Sequence, residues 1–182
     1  MPRIATSVIA FGHVPARFEE MPDPFGNACM SGCETIRLMF QPSQHDVRRF
    51  FCETHALAAS GAAMSPIQIL ASQWIAEHPE YHADLADVDA ALAAVFDVED
   101  GRTNPFLHLA MHLTISEQCS IDQPSGIRQA VELLAARRQS LHDAHHAAMD
   151  CLGEMIWQSQ RSGQPPDGHH YLDCVRRKAT RD

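Results

Sequence analysis

Residues 104–118 read NPFLHLAMHLTISEQ and predict a helix that is apolar on nearly every side. Asn104 is a favourable N-cap, and Pro105 suits the first helical position because no helical hydrogen bond is lost there. His108 and His112 are four residues apart, so they share one face of this helix. A helix with apolar residues on both sides of such a pair is expected to be buried, and buried imidazoles need partners.

A second histidine pair with the same spacing lies in SLHDAHHAAMD, residues 140–150. Ser140 is predicted to cap a long helix that runs from Leu141 to about Gln160, before Gly163 and two prolines. His142 and His146 lie at the margin of its core face. Glu154 continues that margin two turns further on and is the best carboxylate candidate for a ligand or a base.

The rest of the sequence also has apolar residues at helical spacing. No stretch alternates between apolar and polar residues for long enough to predict a sheet. We therefore predict an all-α, single-domain helical bundle. Ser43 and Ser65 are expected to begin two helices, the second of which ends near His78 because Pro79 follows. The other predicted helices are an acidic segment that stops at Gly101, IRQAVELLAARRQ at residues 127–139 and HHYLDCVRRK at residues 169–178.

The first 38 residues differ in character, since they are rich in turn-forming residues and lack periodicity. We predict an irregular extension at residues 1–38 and a helical domain at residues 39–178. Residues 1–38 are either upstream of a true start at Met39 or a disordered extension. Cys29 and Cys33 within this segment form half of a metal site at most, because no second cysteine pair completes it.

Composition excludes several classes of protein. The net charge of −9 argues against a nucleic-acid partner, and no apolar run is long enough to predict a membrane span. The six cysteines lack the regular spacing that is typical of a disulfide framework, so we predict reduced thiols and a cytoplasmic location. The chain has no glycine-rich phosphate loop, so we expect no nucleotide cofactor.

Two histidine pairs on neighbouring helices predict a transition-metal site, with zinc or iron as the favoured ion. The predicted ligands are His108, His112, His142 and His146, with Glu154 as the carboxylate. An open coordination position would permit enzymatic chemistry, and a closed site would be structural, so the pattern does not decide whether the protein is an enzyme. A third pair, His78 and His82, is interpreted as helix-end capping.

Two other hypotheses stay open. In the first, the chain is a metal-free interaction or structural module with a buried network of histidines and carboxylates, and aromatic residues such as Trp74 and Tyr171 anchor the helices or a homodimer. In the second, Cys119 or Cys151 pairs with a histidine as a nucleophile, although buried inert thiols fit their apolar neighbours better.

From Met39 onward the chain resembles a bacterial family of unknown function, numbered 1841 among such domains. The stretches that carry the resemblance cover about 140 residues and are RRFF, WIAEHPEYH, DGRTNPFLHLAMHL, EQCSIDQPSGI, CLGEMIWQSQR and PPDGHHYLDC. The family has no established activity, so the resemblance implies no mechanism. Family members tend to have glutamate beside the second histidine pair, where this chain has Asp150, and the shorter carboxylate weakens the case for a ligand there.

Overall fold

The computed structural model describes residues 43–96 and 103–180. All regular structure in these two ranges is helical, which confirms the all-α prediction. In chain order the elements are α1 (Gln44–Ser60), α2 (Pro66–Glu77), a 3-10 turn (Pro79–Tyr81), α3 (His82–Leu85), α4 (Val88–Ala93), α5 (Pro105–Ile121), α6 (Ile127–Arg138), α7 (Leu141–Ser162) and α8 (Gly168–Thr180). The predictions about residues 1–38, Met39, Cys29 and Cys33 lie outside the described residues.

Most helix boundaries follow from the capping residues that the sequence displays. Ser43 forms a capping box with Asp46 at the start of α1, and the side chain of Asn104 accepts hydrogen bonds from two amides of α5. The Ser140 hydroxyl accepts from the Asp143 amide, so α7 begins where predicted. Gly163 ends that helix in the left-handed conformation, which glycine adopts without steric penalty.

The prediction of one acidic helix ending at Gly101 is wrong. The segment breaks at Asp87, whose extended backbone and side chain cap the short α4, and α4 ends at Ala93. The buried guanidinium of Arg48 donates to the carbonyl oxygens of Ala91 and Ala94, at 2.9 and 2.8 Å. These contacts satisfy carbonyls at the end of α4 that have no partner within the helix.

The core consists of two apolar clusters, and α5 contributes to both. One side of α5 packs with α1 and α2 through Phe106, Leu109 and Leu113. Its other side presents Ile115 to the cluster formed by α6, α7 and α8. This arrangement confirms that α5 is buried on two sides, and it places the polar face of α5 at the junction of the two clusters.

The prediction that all cysteines are reduced thiols is wrong for two of them. Cys151 of α7 and Cys174 of α8 form a disulfide, because packing of these helices brings their Cα atoms to 5.8 Å. Cys52 and Cys119 are free thiols, as predicted. Among the described helices, none is long and apolar enough to cross a membrane.

Candidate metal centre

Five imidazoles meet at the junction of the two apolar clusters. They come from three separate parts of the chain, namely the end of α2, the middle of α5 and the first two turns of α7, and are His78, His108, His112, His142 and His146. One nitrogen from each of His78, His108, His112 and His146 lies within 4.8 Å of the others. We call these five side chains the histidine cluster.

The helix end before Pro79 places His78 in the cluster. Pro79 cannot continue α2, and His78 takes a non-helical conformation with φ −125° and ψ 64°. This turn directs the imidazole across to α5, where its Nε2 lies 2.9 Å from Nε2 of His112. The same atom lies 3.1 Å from Nε2 of His142 on α7. His78 therefore links all three parts of the cluster.

Helical spacing places the other four imidazoles. His108 and His112 extend from one face of α5 towards α7, and Nε2 of His108 lies 3.1 Å from Nε2 of His146. The rings of His142 and His146, one helical turn apart, are tilted against each other with centroids 4.2 Å apart. The two pairs identified in the sequence therefore face each other across the α5–α7 contact.

The cluster is largely shielded from water, and this burial keeps three of its imidazoles neutral. His112 is completely buried, and His78 and His108 are buried as well. Burial and the neighbouring imidazoles lower the pKa of His108 to about 3 and that of His146 to about 4. The same causes push the pKa of His112 far below its usual range. Neutral imidazoles keep a ring lone pair available at pH 7.

Further side chains orient the rings from outside. A carboxylate oxygen of Glu80 lies 2.7 Å from Nδ1 of His78. Burial by itself raises the pKa of Glu80, but its hydrogen bonds, chiefly that with His78, and the neighbouring imidazoles outweigh burial, so this pKa is lowered overall. Nδ1 of His112 faces Nδ1 of His145 at 3.5 Å. Ring orientation by such outer partners is common around metal-binding histidines.

Trp74 fills the space beside the cluster. Its indole stacks on His112 with ring centroids 4.2 Å apart and contacts the tilted ring of His145 at 4.3 Å. The indole Nε1 donates to the hydroxyl of Ser116, which in turn donates to the backbone carbonyl of His112. Trp74 therefore fixes both the ring plane of His112 and the register between α2 and α5.

The structure brings His108, His112, His142 and His146 together and leaves Glu154 outside. Glu154 is exposed on α7 and accepts a hydrogen bond from Gln158. It follows His146 by eight residues, which is about 12 Å along a helix axis. Asp150 is exposed as well, and its carboxylate pairs with Lys178 of α8 at 2.7 Å.

Sequence reasoning missed His78 as a member of the cluster. The pair of His78 and His82 separates because the 3-10 turn lies between them, and Nε2 of His82 hydrogen-bonds to the Ile75 carbonyl. Both residues therefore cap the end of α2, as interpreted. His82 does so through its side chain, whereas His78 does so only through its backbone N–H, which donates to the Ile75 carbonyl, and its side chain enters the cluster. The sequence does contain a signal for this placement, the triplet HPE at residues 78–80. Its proline ends the helix at His78, and its glutamate is close enough in the chain to hydrogen-bond to the His78 ring.

The geometry gives no support to a nucleophilic cysteine. Cys151 is in a disulfide. Burial raises the pKa of the Cys119 thiol to about 11, so it is protonated at neutral pH and unreactive. Burial likewise raises the pKa of Cys52.

Comparison with known proteins identifies a family. Residues 43–177 match a family model described as Domain of unknown function (DUF1841). The match includes every residue of the histidine cluster. No curated protein and no solved structure matches the chain.

Proposed function

The chain belongs to the DUF1841 family, and because that family is one of unknown function, we propose a function from the geometry alone: the histidine cluster binds one transition-metal ion. His78, His108, His112 and His146 are its main ligands, and His142 is a fifth. The observation that carries this proposal is the convergence of their ring nitrogens in a buried space. The proposal keeps three of the four sequence-predicted histidines as main ligands, retains His142, adds His78 and leaves out Glu154.

Hydrogen-bond capacity favours a metal over a purely hydrogen-bonded cluster. Each imidazole nitrogen has either one hydrogen or one lone pair in the ring plane. Nε2 of His78 nevertheless approaches two other Nε2 atoms, those of His112 and His142, at 2.9 and 3.1 Å. One ring nitrogen makes one well-directed hydrogen bond, so hydrogen bonding satisfies only one of these two contacts. A cation at the centre takes a lone pair from every ring at once.

The arrangement around His78 supports the same conclusion. When Nδ1–H of His78 donates to Glu80, its Nε2 carries the lone pair and points it into the cluster. A carboxylate on the outer nitrogen of a ligating histidine fixes its tautomer and raises its basicity as a ligand. The distances also suit a metal, since nitrogens bound at tetrahedral sites about 2.0–2.1 Å from an ion lie roughly 3.4 Å apart.

The donor set indicates the class of ion. Imidazole nitrogens suit zinc, iron, copper and nickel, whereas magnesium and calcium require oxygen ligands. Zinc is usually bound by four ligands, and iron accepts five or six. Four histidines with a fifth within reach therefore support zinc or iron, in a small metalloenzyme or a metal-dependent sensor.

One observation favours a metal-free module as the second candidate. The closest Nε2 pairs, at 2.9–3.1 Å, are at hydrogen-bond distance and shorter than tetrahedral ligand spacing. In that case the cluster joins the two halves of the core through hydrogen bonds among its rings and Glu80. The cluster would then be structural and would need no ion.

Metal analysis of the untagged protein separates the two candidates. The chain is purified without metal-affinity resin, and its metal content is measured by mass spectrometry before and after anaerobic addition of zinc or ferrous iron. We expect about one ion per chain and a higher Tm in its presence, because an ion that binds the native state stabilises it. The variants His108→Ala and His112→Gln should lose the ion.

His169→Ala is the matched control, because His169 is exposed at the start of α8 and far from any cluster contact. It should keep the ion and the Tm increase. A wild-type protein that stays folded but takes up no stoichiometric ion would establish the metal-free module instead.

The cytoplasmic location, the homodimer and the absence of a nucleic-acid partner stay predictions from the sequence. The disulfide between Cys151 and Cys174 weighs against a reducing compartment, because the cytoplasm keeps most thiols reduced. Mass-spectrometric mapping of the peptides that contain these two residues, in protein alkylated directly in lysed cells, tests whether the bond forms in the cell.

A further inference from the structure

Within the histidine cluster, His142 is the one member outside the set of four convergent nitrogens, and its ring is partly exposed. We propose that His142 is a displaceable ligand, and that a small monodentate molecule or anion with an oxygen or nitrogen donor binds the metal in its place. This inference rests on the proposed function. It assigns the position at which an external ligand reaches an otherwise buried ion.

His142 is more exposed than the buried members of the cluster, and His146 is half-buried as well. Its side chain is 29% exposed, whereas that of His78 is 3% exposed. His112 is fully buried. The set of nitrogens within 4.8 Å of one another also omits His142, although its Nε2 lies 3.1 Å from that of His78. His142 is therefore at the edge of the cluster, on the side that reaches solvent.

The outer ring nitrogen of His142 lacks the kind of support that His78 and His112 have. His78 is fixed by Glu80 at 2.7 Å, and the ring of His112 is held by the Trp74 indole. The nearest carboxylate to Nδ1 of His142 is that of Asp143, at 4.0 Å, which is beyond hydrogen-bond distance. Rotation of the His142 ring out of the cluster therefore breaks no direct hydrogen bond at Nδ1.

The backbone position of His142 also permits movement. It is the second residue of α7 and lies two positions after the cap residue Ser140. Backbone amides in the first turn of a helix have no hydrogen-bond partner within the helix. Helix ends open more readily than helix centres. His146 is one turn further along, within the body of the helix, so α7 carries one fixed ligand and one that is displaceable.

The exchange is a simple substitution at the metal. The coordinate bond from Nε2 of His142 breaks, and one from the donor atom of the incoming ligand forms. No electron is transferred, and the imidazole leaves with its lone pair. The incoming ligand is small, because the other sides of the ion are closed by buried rings and by Trp74.

Cobalt substitution with azide titration tests this assignment. The metal-free full-length protein is loaded with Co²⁺, whose visible spectrum depends on coordination number and geometry, and azide is then titrated into the wild type, His142→Ala and the control His169→Ala. We expect all three to hold one Co²⁺ per chain. In His142→Ala we expect an apparent Kd for azide at least about tenfold lower, since an internal ligand that occupies its position nine-tenths of the time weakens external binding about tenfold.

Chemical rescue adds a readout that a structural role would not change. Free imidazole added to His142→Ala should restore the wild-type cobalt spectrum and compete with azide. It should leave the spectrum of His169→Ala unchanged at the same concentration. Should His142→Ala fold poorly by circular dichroism, His142→Gln, which retains more side-chain volume, takes its place.

Each result has one meaning. Loss of Co²⁺ from a folded His142 variant would show that His142 is a fixed ligand, and an unchanged Kd for azide would show that it does not occupy the exchange position. Either result overturns the inference and leaves the metal site standing. If the folded wild type binds no Co²⁺ at all, the proposed function fails, and the assignment of His142 fails with it.

Discussion

Acid should destabilise the metal-free protein strongly between pH 6.5 and pH 4. Burial, with neighbouring imidazoles, lowers the pKa of His108 to about 3 and the pKa values of His145 and His146 to about 4. In the unfolded chain these side chains have a pKa of about 6.5. Below that pH the unfolded state binds protons that the native state does not bind, so the free energy of unfolding falls as the pH falls.

The expected size of the effect can be worked out for His145. With a pKa of about 4 in the native state and about 6.5 in the unfolded state, lowering the pH to 5 costs about 2 kcal/mol. The loss approaches its limit once the pH passes below 4, where the native state is protonated too. His108 and His146 act in the same direction, and a total loss of several kcal/mol compares with roughly 5–15 kcal/mol for a whole domain.

Urea unfolding followed by circular dichroism at pH 7, 6 and 5, with chelator present throughout, measures this loss. The variant His145→Gln should show a pH dependence smaller by about 2 kcal/mol between pH 7 and 5. His169→Ala, at an exposed site, should match the wild type. A free energy of unfolding that does not change from pH 7 to pH 5 would refute the reasoning, because it would mean that these imidazoles titrate alike in both states.

Three further predictions concern single contacts. Ser140→Ala should lower the free energy of unfolding by about 1 kcal/mol through loss of the α7 cap; a neutral result in urea titration would mean that the cap contributes nothing. Arg48→Met should cost about 2–3 kcal/mol, because carbonyls at the end of α4 lose charged donors. The neighbouring exposed Arg49→Met should be nearly neutral in the same assay, and equal losses would contradict the capping role. For the metal-loaded protein, His112→Ala and His146→Ala should each lower the Tm, and the double variant should cost less than their sum, since either change alone empties the site. Additive losses in calorimetry would indicate two independently packed rings.

The helices were predictable because their signals are local. A capping residue precedes each segment in which apolar residues recur at helical spacing, and each of these residues caps the predicted helix; they are Ser43, Asn104 and Ser140. That the two histidine pairs face each other was also predictable. Spacing of four residues places both members of a pair on one helix face, and the apolar flanks of α5 indicate that its pair is buried against another helix. Where a local signal was absent, as at Asp87 within an apparently continuous acidic helix, the prediction was wrong.

The parts that depended on tertiary packing were not predictable. His78 belongs to the cluster because the turn at Pro79 lies over α5, and periodicity carries no information about that placement. Glu154 is about 12 Å from His146 along the helix axis and is rotated about 80° around it, so it does not reach the same site. The disulfide depends on how α8 lies against α7, and the spacing of Cys151 and Cys174 in the chain does not reveal it.

The distances along the chain between cluster members have a consequence for how the protein acquires an ion. His78 is 34 residues from His112 and 64 from His142, and His108 is 38 residues from His146. Contacts of this kind form late in folding, because long loops must close first. Before then, an ion meets only separate pairs four residues apart and can join segments of the chain that are not partners in the native fold. Refolding in the presence of a chelator, with metal added only afterwards, should therefore recover more native protein than refolding in the presence of the metal.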